Sequence, residues 1–100
     1  MSAPLVTVIL ATYNQQPYVE KALKSILDQT YTNIEIIVCD NGSTDGTKNV
    51  ISETISSHGD IIYLNFSENK SITSRHNHCI GLAKGQFVSI LFGDDYYDSY

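Results

Sequence analysis

Apolar positions along the chain come in blocks whose period switches between that of a strand and that of a helix. Leu5 to Thr12 is β-branched and apolar on both faces, the pattern of a strand in the middle of a parallel sheet with helices on either side. Tyr13-Asn14-Gln15-Gln16 reads as a turn, and Pro17 suits the first turn of a helix because its φ is already set. Val19, Ala22, Leu23, Ile26 and Leu27 then fall at i, i+3, i+4, i+7 and i+8, a single helical stripe. Glu20 and Lys24 are spaced for an ion pair on the outer face. After the polar segment Asp28 to Asn33, Ile34 to Cys39 predicts a second strand. The polar run Asp40 to Thr47 follows it directly, and Ser43, Thr44 and Asp45 are all able N-caps. Val50, Ile51 and Ile55 predict the second, shorter helix, with His58 solvated near its end.

Ile61 to Phe66 predicts a third strand, and Asn69 to Ser71 leads into a third helix. Ile72, His76, Cys79, Ile80 and Ala83 share one face of that helix. His76 therefore reads as a core or interface histidine, while His78 points elsewhere. Arg75 lies in the first turn, where the helix dipole disfavours a cation. Its placement points either to an anionic or polar ligand nearby or to an exposed side chain. Gly85 is the expected glycine just past the helix end. Gln86 to Phe92 predicts the fourth strand, and its apolar run suits burial. Gly93 breaks that strand, and two carboxylates, Asp94 and Asp95, follow at once. Adjacent negative charges repel unless water or a cation lies between them. The pair is thus either a solvated acidic turn or a site for a hard divalent cation such as Mg²⁺ or Mn²⁺.

Composition narrows the class. One hundred residues, 42% hydrophobic and 17% charged, are enough for one domain with a core and no more. A formal net charge of −5 argues against nucleic acid or an anionic membrane as partner, because no basic field attracts phosphate. A single nucleotide held with a metal remains compatible. No run reaches the length of a membrane span, and Met-Ser-Ala-Pro lacks the basic and apolar regions of a signal peptide. The expected setting is the reducing cytoplasm, with the inner face of the membrane open to a longer protein. Cys39 and Cys79 have no CxxC spacing, so each reads as a small buried apolar residue rather than a zinc ligand, and a disulfide between them is disfavoured.

The alternation of strand and helix is that of an α/β domain with a mainly parallel sheet. Ligands of such sheets lie beyond the carboxyl ends of the strands, where strand order reverses. Ala11 to Asn14, Asp40 to Ser43 and Gly93 to Asp95 occupy such ends. If the first and fourth strands are neighbours, these segments meet over one crevice. Tyr13 then stacks on a base or caps the first helix, Asp40 accepts hydrogen bonds from base or ribose, and a metal on Asp95 neutralises phosphates. Neither a GxGxxG turn nor a P-loop is present. A receiver-like signalling domain is disfavoured, since Thr12-Tyr13-Asn14 stands where it needs acidic residues and Ser67-Glu68-Asn69 where it needs a phosphorylatable Asp.

Several ordered segments resemble the family 2 glycosyltransferases of the GT-A fold. They are Thr7 to Asn14, Ala22 to Tyr31, Ile36 to Thr47, Ser74 to Asn77 with Gly81 to Val88, and Gly93-Asp94-Asp95. The resemblance implies a Rossmann-like, mainly parallel sheet with flanking helices, the N-terminal half of a GT-A fold. It implies a nucleotide-diphospho-sugar donor, usually a UDP-sugar, with Mg²⁺ or Mn²⁺, for inverting transfer. By position, Ala11, Thr12, Tyr13, Asp40 and Arg75 would surround base and ribose. Asp94 would lie near ribose or sugar, and Asp95 would reach the metal and diphosphate, with Asp94 sharing the acidic motif. Phe92 stands where many members have the first Asp of Asp-x-Asp, and Asp40-Asn41 replaces the commoner Asp-Asp. The general base of such an enzyme is expected beyond Tyr100, since Asp98 is the only carboxylate after the acidic pair. Residues 1–100 thus read as one donor-binding domain, truncated at its C-terminal end, with an unknown glycan or lipid-linked acceptor. A non-catalytic nucleotide-binding or interaction module of the same fold is the alternative. An exposed sheet edge would favour self-association.

Overall fold

Strand and helix alternate throughout the computed structural model, which describes residues 4–28 and 33–93. The elements are β1 (Val6–Thr12), α1 (Gln16–Leu27), β2 (Ile34–Asn41), α2 (Thr47–Ile55), β3 (Ile61–Phe66), α3 (Ile72–Leu82) and β4 (Phe87–Phe92). The strands form one parallel sheet in the order β3-β2-β1-β4. β1 is central because both its faces are apolar, and it pairs β2 from Val6↔Ile34 and β4 from Val6↔Phe87. The first and fourth strands are therefore neighbours, and the order reverses between β1 and β4, which is where an α/β crevice forms.

The period of two along each strand sends alternate residues to opposite sides of the sheet. Val8, Leu10, Val38 and Leu91 pack with Val19, Ala22, Leu23 and Ile26 of α1 and Ile51 of α2. The predicted α1 stripe is this contact. On the other side Ile9, Ile37 and Cys39 meet Cys79 of α3, with Ile62, Leu64, Phe66 and Ala83 around them. Both cysteines are buried, as expected, and both are free; Cys39 of β2 and Cys79 of α3 share one apolar cluster. Glu20 and Lys24 do approach to 3.7 Å, well exposed, and such a pair contributes little.

Four features depart from the sequence reading. β2 runs two residues past Cys39, because Asp40 and Asn41 still pair with Asn65 and Phe66 of β3. α2 is capped by Gly46, although the Asp45 carboxylate does accept from Thr47 N at 2.9 Å. α3 is rotated so that Arg75 and Cys79 face the sheet, leaving Ile72 60% exposed and Ile80 exposed as well. β4 is not a buried strand: of its residues only Leu91 is enclosed, and Phe87 is 61% exposed. The cause is its place at the sheet edge, where among the described residues it pairs with β1 alone.

Two glycines are set by close approach. Gly42, at φ 83, turns the chain out of β2, and a Cβ there would sit 2.4 Å from the backbone of Glu68. Gly85 is not a left-handed cap as expected, since Ala83 ends α3 in an extended conformation. A Cβ on Gly85 would instead meet Thr7 N at 2.6 Å, and Gly85 N donates to Thr7 Oγ1 at 2.9 Å. Its small size lets the α3–β4 connection lie against β1.

Candidate functional site

The turn after β1 and the turn after β2 are locked together. Asn14 adopts φ 49, a conformation that asparagine tolerates better than most residues. That turn aims its amide at the neighbouring loop. Asn14 Oδ1 accepts from Thr44 N at 2.7 Å and Asp45 N at 3.3 Å, while Asn14 N donates to Ser43 Oγ at 2.9 Å. Gln15 N donates to Thr47 Oγ1 at 3.0 Å, and Gly46 N donates to Gln16 Oε1 at 2.9 Å. The hydroxyls that looked like caps for α2 thus largely serve the α1 loop. The Thr47 hydroxyl, donating to Asp45, also holds the Asp45 carboxyl below its usual range.

This clamp positions the carboxyl end of β1 over a cavity of about 130 Å³. Ala11, Thr12, Tyr13 and Gln15 form one wall, Ile72, Arg75 and His76 of α3 another, and Phe92 of β4 a third; Cys39 and Asn41 contribute from β2. Ala11, Thr12, Tyr13 and Arg75 of the expected donor-site residues are therefore gathered at one cavity. The Tyr13 ring is well exposed, and Thr12 Oγ1 donates to Gln15 Oε1 at 2.8 Å. Gly93 N donates to Ala11 O at 2.9 Å, so the chain leaves β4 beside the end of β1. Asp94 and Asp95, the expected metal-binding pair, lie outside the described residues. Among the described residues no group of three or more His, Cys, Asp or Glu is placed to hold a metal.

Asp40 is placed differently from the expectation that it meets base or ribose. It does not line the cavity, and its side chain is fully enclosed. Asp40 Oδ1 accepts from Ser43 N at 2.8 Å and lies 3.9 Å from Lys48 Nζ on α2, while Oδ2 has no hydrogen-bond partner among the described residues. Burial and the Asp40 charge push the Tyr63 phenol up to about 12. Because successive strand residues face opposite sides, Asn41 opens onto the cavity in place of Asp40. Reading β2 as ending at Cys39 hid this alternation; extending the period of two by two residues would have revealed it.

Arg75 is 7% exposed, and its guanidinium lies 3.6 Å from the centroid of the Phe66 ring. Its Nε donates to Asn41 Oδ1 at 2.6 Å and its Nη2 to Glu68 O. Asn41 is held further by Lys70, whose N donates to Oδ1 at 3.0 Å and whose O accepts from Nδ2 at 2.7 Å. His78, without an obvious partner in the sequence, sits edge-on to Phe66 at 5.5 Å. His76 lies 5.7 Å from Phe92. Beneath the cavity, hydrogen bonding to Cys79 and burial raise the Cys39 thiol above its ordinary range. Asn41, Gln15 and His76 were not among the expected site residues. The signal for His76 was the helix face it shares with Ile72, which lines the same cavity wall.

Comparison with known proteins agrees with this architecture. The description Glycosyl transferase family 2 matches residues 7–100. The UDP-Glc:alpha-D-GlcNAc-diphosphoundecaprenol beta-1,3-glucosyltransferase WfaP of Escherichia coli is 38% identical over 93 residues, 93% of this chain and 36% of that enzyme. Mannosyltransferase PcManGT from Pyrobaculum calidifontis, solved with GDP-Man and Mn²⁺, superposes with a TM-score of 0.88 at 31% identity, over 96% of this chain and 29% of that one. S. aureus TarS 1-349 with UDP-GlcNAc gives 0.79 at 27% identity, over 92% and 27%. The chain therefore spans about a third of the length of WfaP and less of both structures. The sheet order, the flanking helices and the matched residues agree: the chain belongs to glycosyl transferase family 2.

Proposed function

We propose that this chain is the donor-binding part of an inverting glycosyltransferase that takes a nucleotide-diphospho-sugar, with a UDP-sugar as the favoured donor. The observation that carries the reading is the cavity at the carboxyl ends of β1, β2 and β4, lined by Ala11, Thr12, Tyr13 and Arg75. Tyr13, exposed at its mouth, offers a ring for the base to stack on. The neighbours solved with GDP-Man and with UDP-GlcNAc support a diphosphate-linked sugar as the ligand class.

Asp94 and Asp95 follow directly on the strand that borders the cavity, and two adjacent carboxylates are a fitting donor set for Mg²⁺ or Mn²⁺. When bound, the metal would supply neutralising charge to the departing nucleoside diphosphate. The residues of this chain bind and orient the nucleotide. In the transfer an acceptor hydroxyl forms the new bond to the anomeric carbon as the bond to the diphosphate breaks. The general base that takes the hydroxyl proton is assigned beyond Tyr100. The acceptor, a glycan or a lipid-linked sugar, belongs to the longer protein, and the cytoplasm is its proposed setting. No described helix is long and apolar enough to cross a membrane. The exposed β4 edge favours self-association of this chain in isolation.

Calorimetric titration with UDP and GDP, with and without Mn²⁺, tests the reading. Metal-dependent binding of UDP, weakened about tenfold or more (≥ ~1.4 kcal/mol) by Asp95→Ala, is the expected result. Absence of nucleotide binding to this chain and to a longer protein containing it would overturn the reading. Transfer by the longer protein, lost in Asp95→Ala, separates an enzyme from a non-catalytic module.

A further inference from the structure

Lys48 stands on α2, the helix that packs on the closed side of the sheet, and is not among the residues that line the cavity. Its ammonium nonetheless meets the carboxyl ends of two strands. Nζ donates to the carbonyl of Phe66, the last residue of β3, at 2.6 Å, and lies 3.9 Å from Asp40 Oδ1 near the end of β2. The Lys48 side chain is 28% exposed, whereas that of Asp40 is fully enclosed. A hydrogen bond from an ammonium is charge-assisted and stronger than a neutral one. An enclosed carboxylate is costly to leave without a nearby cation. Lys48 is therefore held in one place, unlike a lysine that lies free on a surface.

Each of the two contacts leads on to a wall of the cavity. On the Asp40 route, Oδ1 accepts from Ser43 N at 2.8 Å and Ser43 Oγ accepts from Asn14 N at 2.9 Å. Asn14 follows Tyr13, which belongs to the β1 wall. On the Phe66 route, the ring lies 3.6 Å from the Arg75 guanidinium, which belongs to the α3 wall. Neither Asp40 nor Phe66 lines the cavity itself. The two routes share Lys48 and end on different walls. Groups bonded and packed in series carry a displacement from one to the next, so one ammonium bears on the spacing of both walls.

We propose that Lys48 is a positioning residue for the nucleotide. Through Asp40 and Ser43 it sets the turn that carries Tyr13, and through Phe66 it sets Arg75. It thereby fixes the gap in which base and ribose lie, without touching either. This rests on the donor-binding reading and deepens it. Binding groups held in place before the ligand arrives cost less to order, so loosening them weakens affinity.

The test is calorimetric titration with UDP in Mn²⁺, below the melting temperature of every variant, for the wild type, Lys48→Met, Lys48→Arg and Ile51→Val. It is run on the longer protein where this chain alone does not bind. Lys48→Met keeps the aliphatic stem and loses the ammonium. Ile51→Val trims the buried core on the same helix and touches neither route. The expected result is UDP binding about tenfold weaker in Lys48→Met, with most of the loss recovered in Lys48→Arg. Ile51→Val binds as the wild type does, although it melts lower. In ¹H–¹⁵N spectra the Arg75 Nε–H signal, set by Asn41 and the Phe66 ring, moves in Lys48→Met and stays in Ile51→Val. If Lys48→Met does not fold, Lys48→Gln takes its place with the same outcomes. Equal UDP affinity in wild type and Lys48→Met would overturn the positioning role while leaving the donor reading intact. An equal loss in Ile51→Val would make affinity follow stability and also overturn it. Failure of the wild type to bind UDP, in this chain and in the longer protein, would overturn both.

Discussion

The two sides of the sheet differ in how completely they are covered. On one, α1 and α2 close over Val8, Leu10, Val38 and Leu91, and the loops at the carboxyl ends are clamped through Asn14. On the other, α3 covers Ile9, Ile37 and Cys39 but leaves Val88, Ile90 and Phe92 of β4 exposed, together with its own Ile72 and Ile80. The cavity opens at the carboxyl ends of the strands, and its Arg75 and His76 wall belongs to this second side. Apolar cover is thus more complete on the α1–α2 side, and Arg75 and His76 lie on the side where it is thinner. Sites drawn from the less stable parts of a fold are a general expectation.

Truncation on the two sides should separate them most strongly. Leu23→Ala, in the closed core, should cost about 2–5 kcal/mol by denaturant unfolding. Ile80→Ala, on the outer side of α3, should stay within about 0.5 kcal/mol. Equal costs would dissolve the contrast. The clamp comes next. Asn14→Gly keeps the backbone free to hold its positive φ but removes the acceptor for Thr44 N and Asp45 N. A loss of about 1–2 kcal/mol is expected, and Asn14→Ala should lose more because its Cβ resists that φ. On the thin side, Phe87→Lys should shift any concentration-dependent sedimentation of this chain toward monomer, with little change in melting temperature. An unchanged sedimentation profile would remove the β4 edge from self-association.

The smallest effect is a pH dependence on the closed side. Tyr63 has its phenol raised from 10.0 to about 12 in the folded state. The unfolded chain therefore loses this proton first, so stability falls as pH rises from about 10 to 12 and levels off above. Tyr63→Phe should remove that part of the alkaline decline in a melting series. A slope unchanged by the substitution would assign it elsewhere.

Much of the fold was legible because its signals are local. Strand and helix limits at Val6–Thr12, Ile61–Phe66 and Ile72–Leu82 fall within a residue or so of the hydrophobic pattern. Ser71 caps α3 through Ser74 N, a contact three residues long. The gathering of Ala11, Thr12 and Tyr13 at a cavity followed from strand order and the rule for α/β crevices. The site was less legible. Asp40 and Asn41 are adjacent in sequence, yet one is sealed beneath α2 and the other faces the cavity, because β2 continues through both.

By itself, the amino-acid sequence determined the elements, their alternation, the family and the end of the sheet at which Ala11, Thr12 and Tyr13 gather at a cavity. Those depend on period, composition and ordered motifs, which are properties of neighbouring residues. Only the tertiary structure decided the rotation of α3 that buries Arg75 and Cys79, the meeting of Cys39 with Cys79, and the exposure of β4. Each is settled by contacts between distant segments. A helix with apolar residues on more than one side can turn several of them inward, and here the bonds from Arg75 to Asn41 and Glu68 accompany the choice. A strand as apolar as β4 reads as buried from its residues alone; its burial depends on what covers it, which no local pattern encodes.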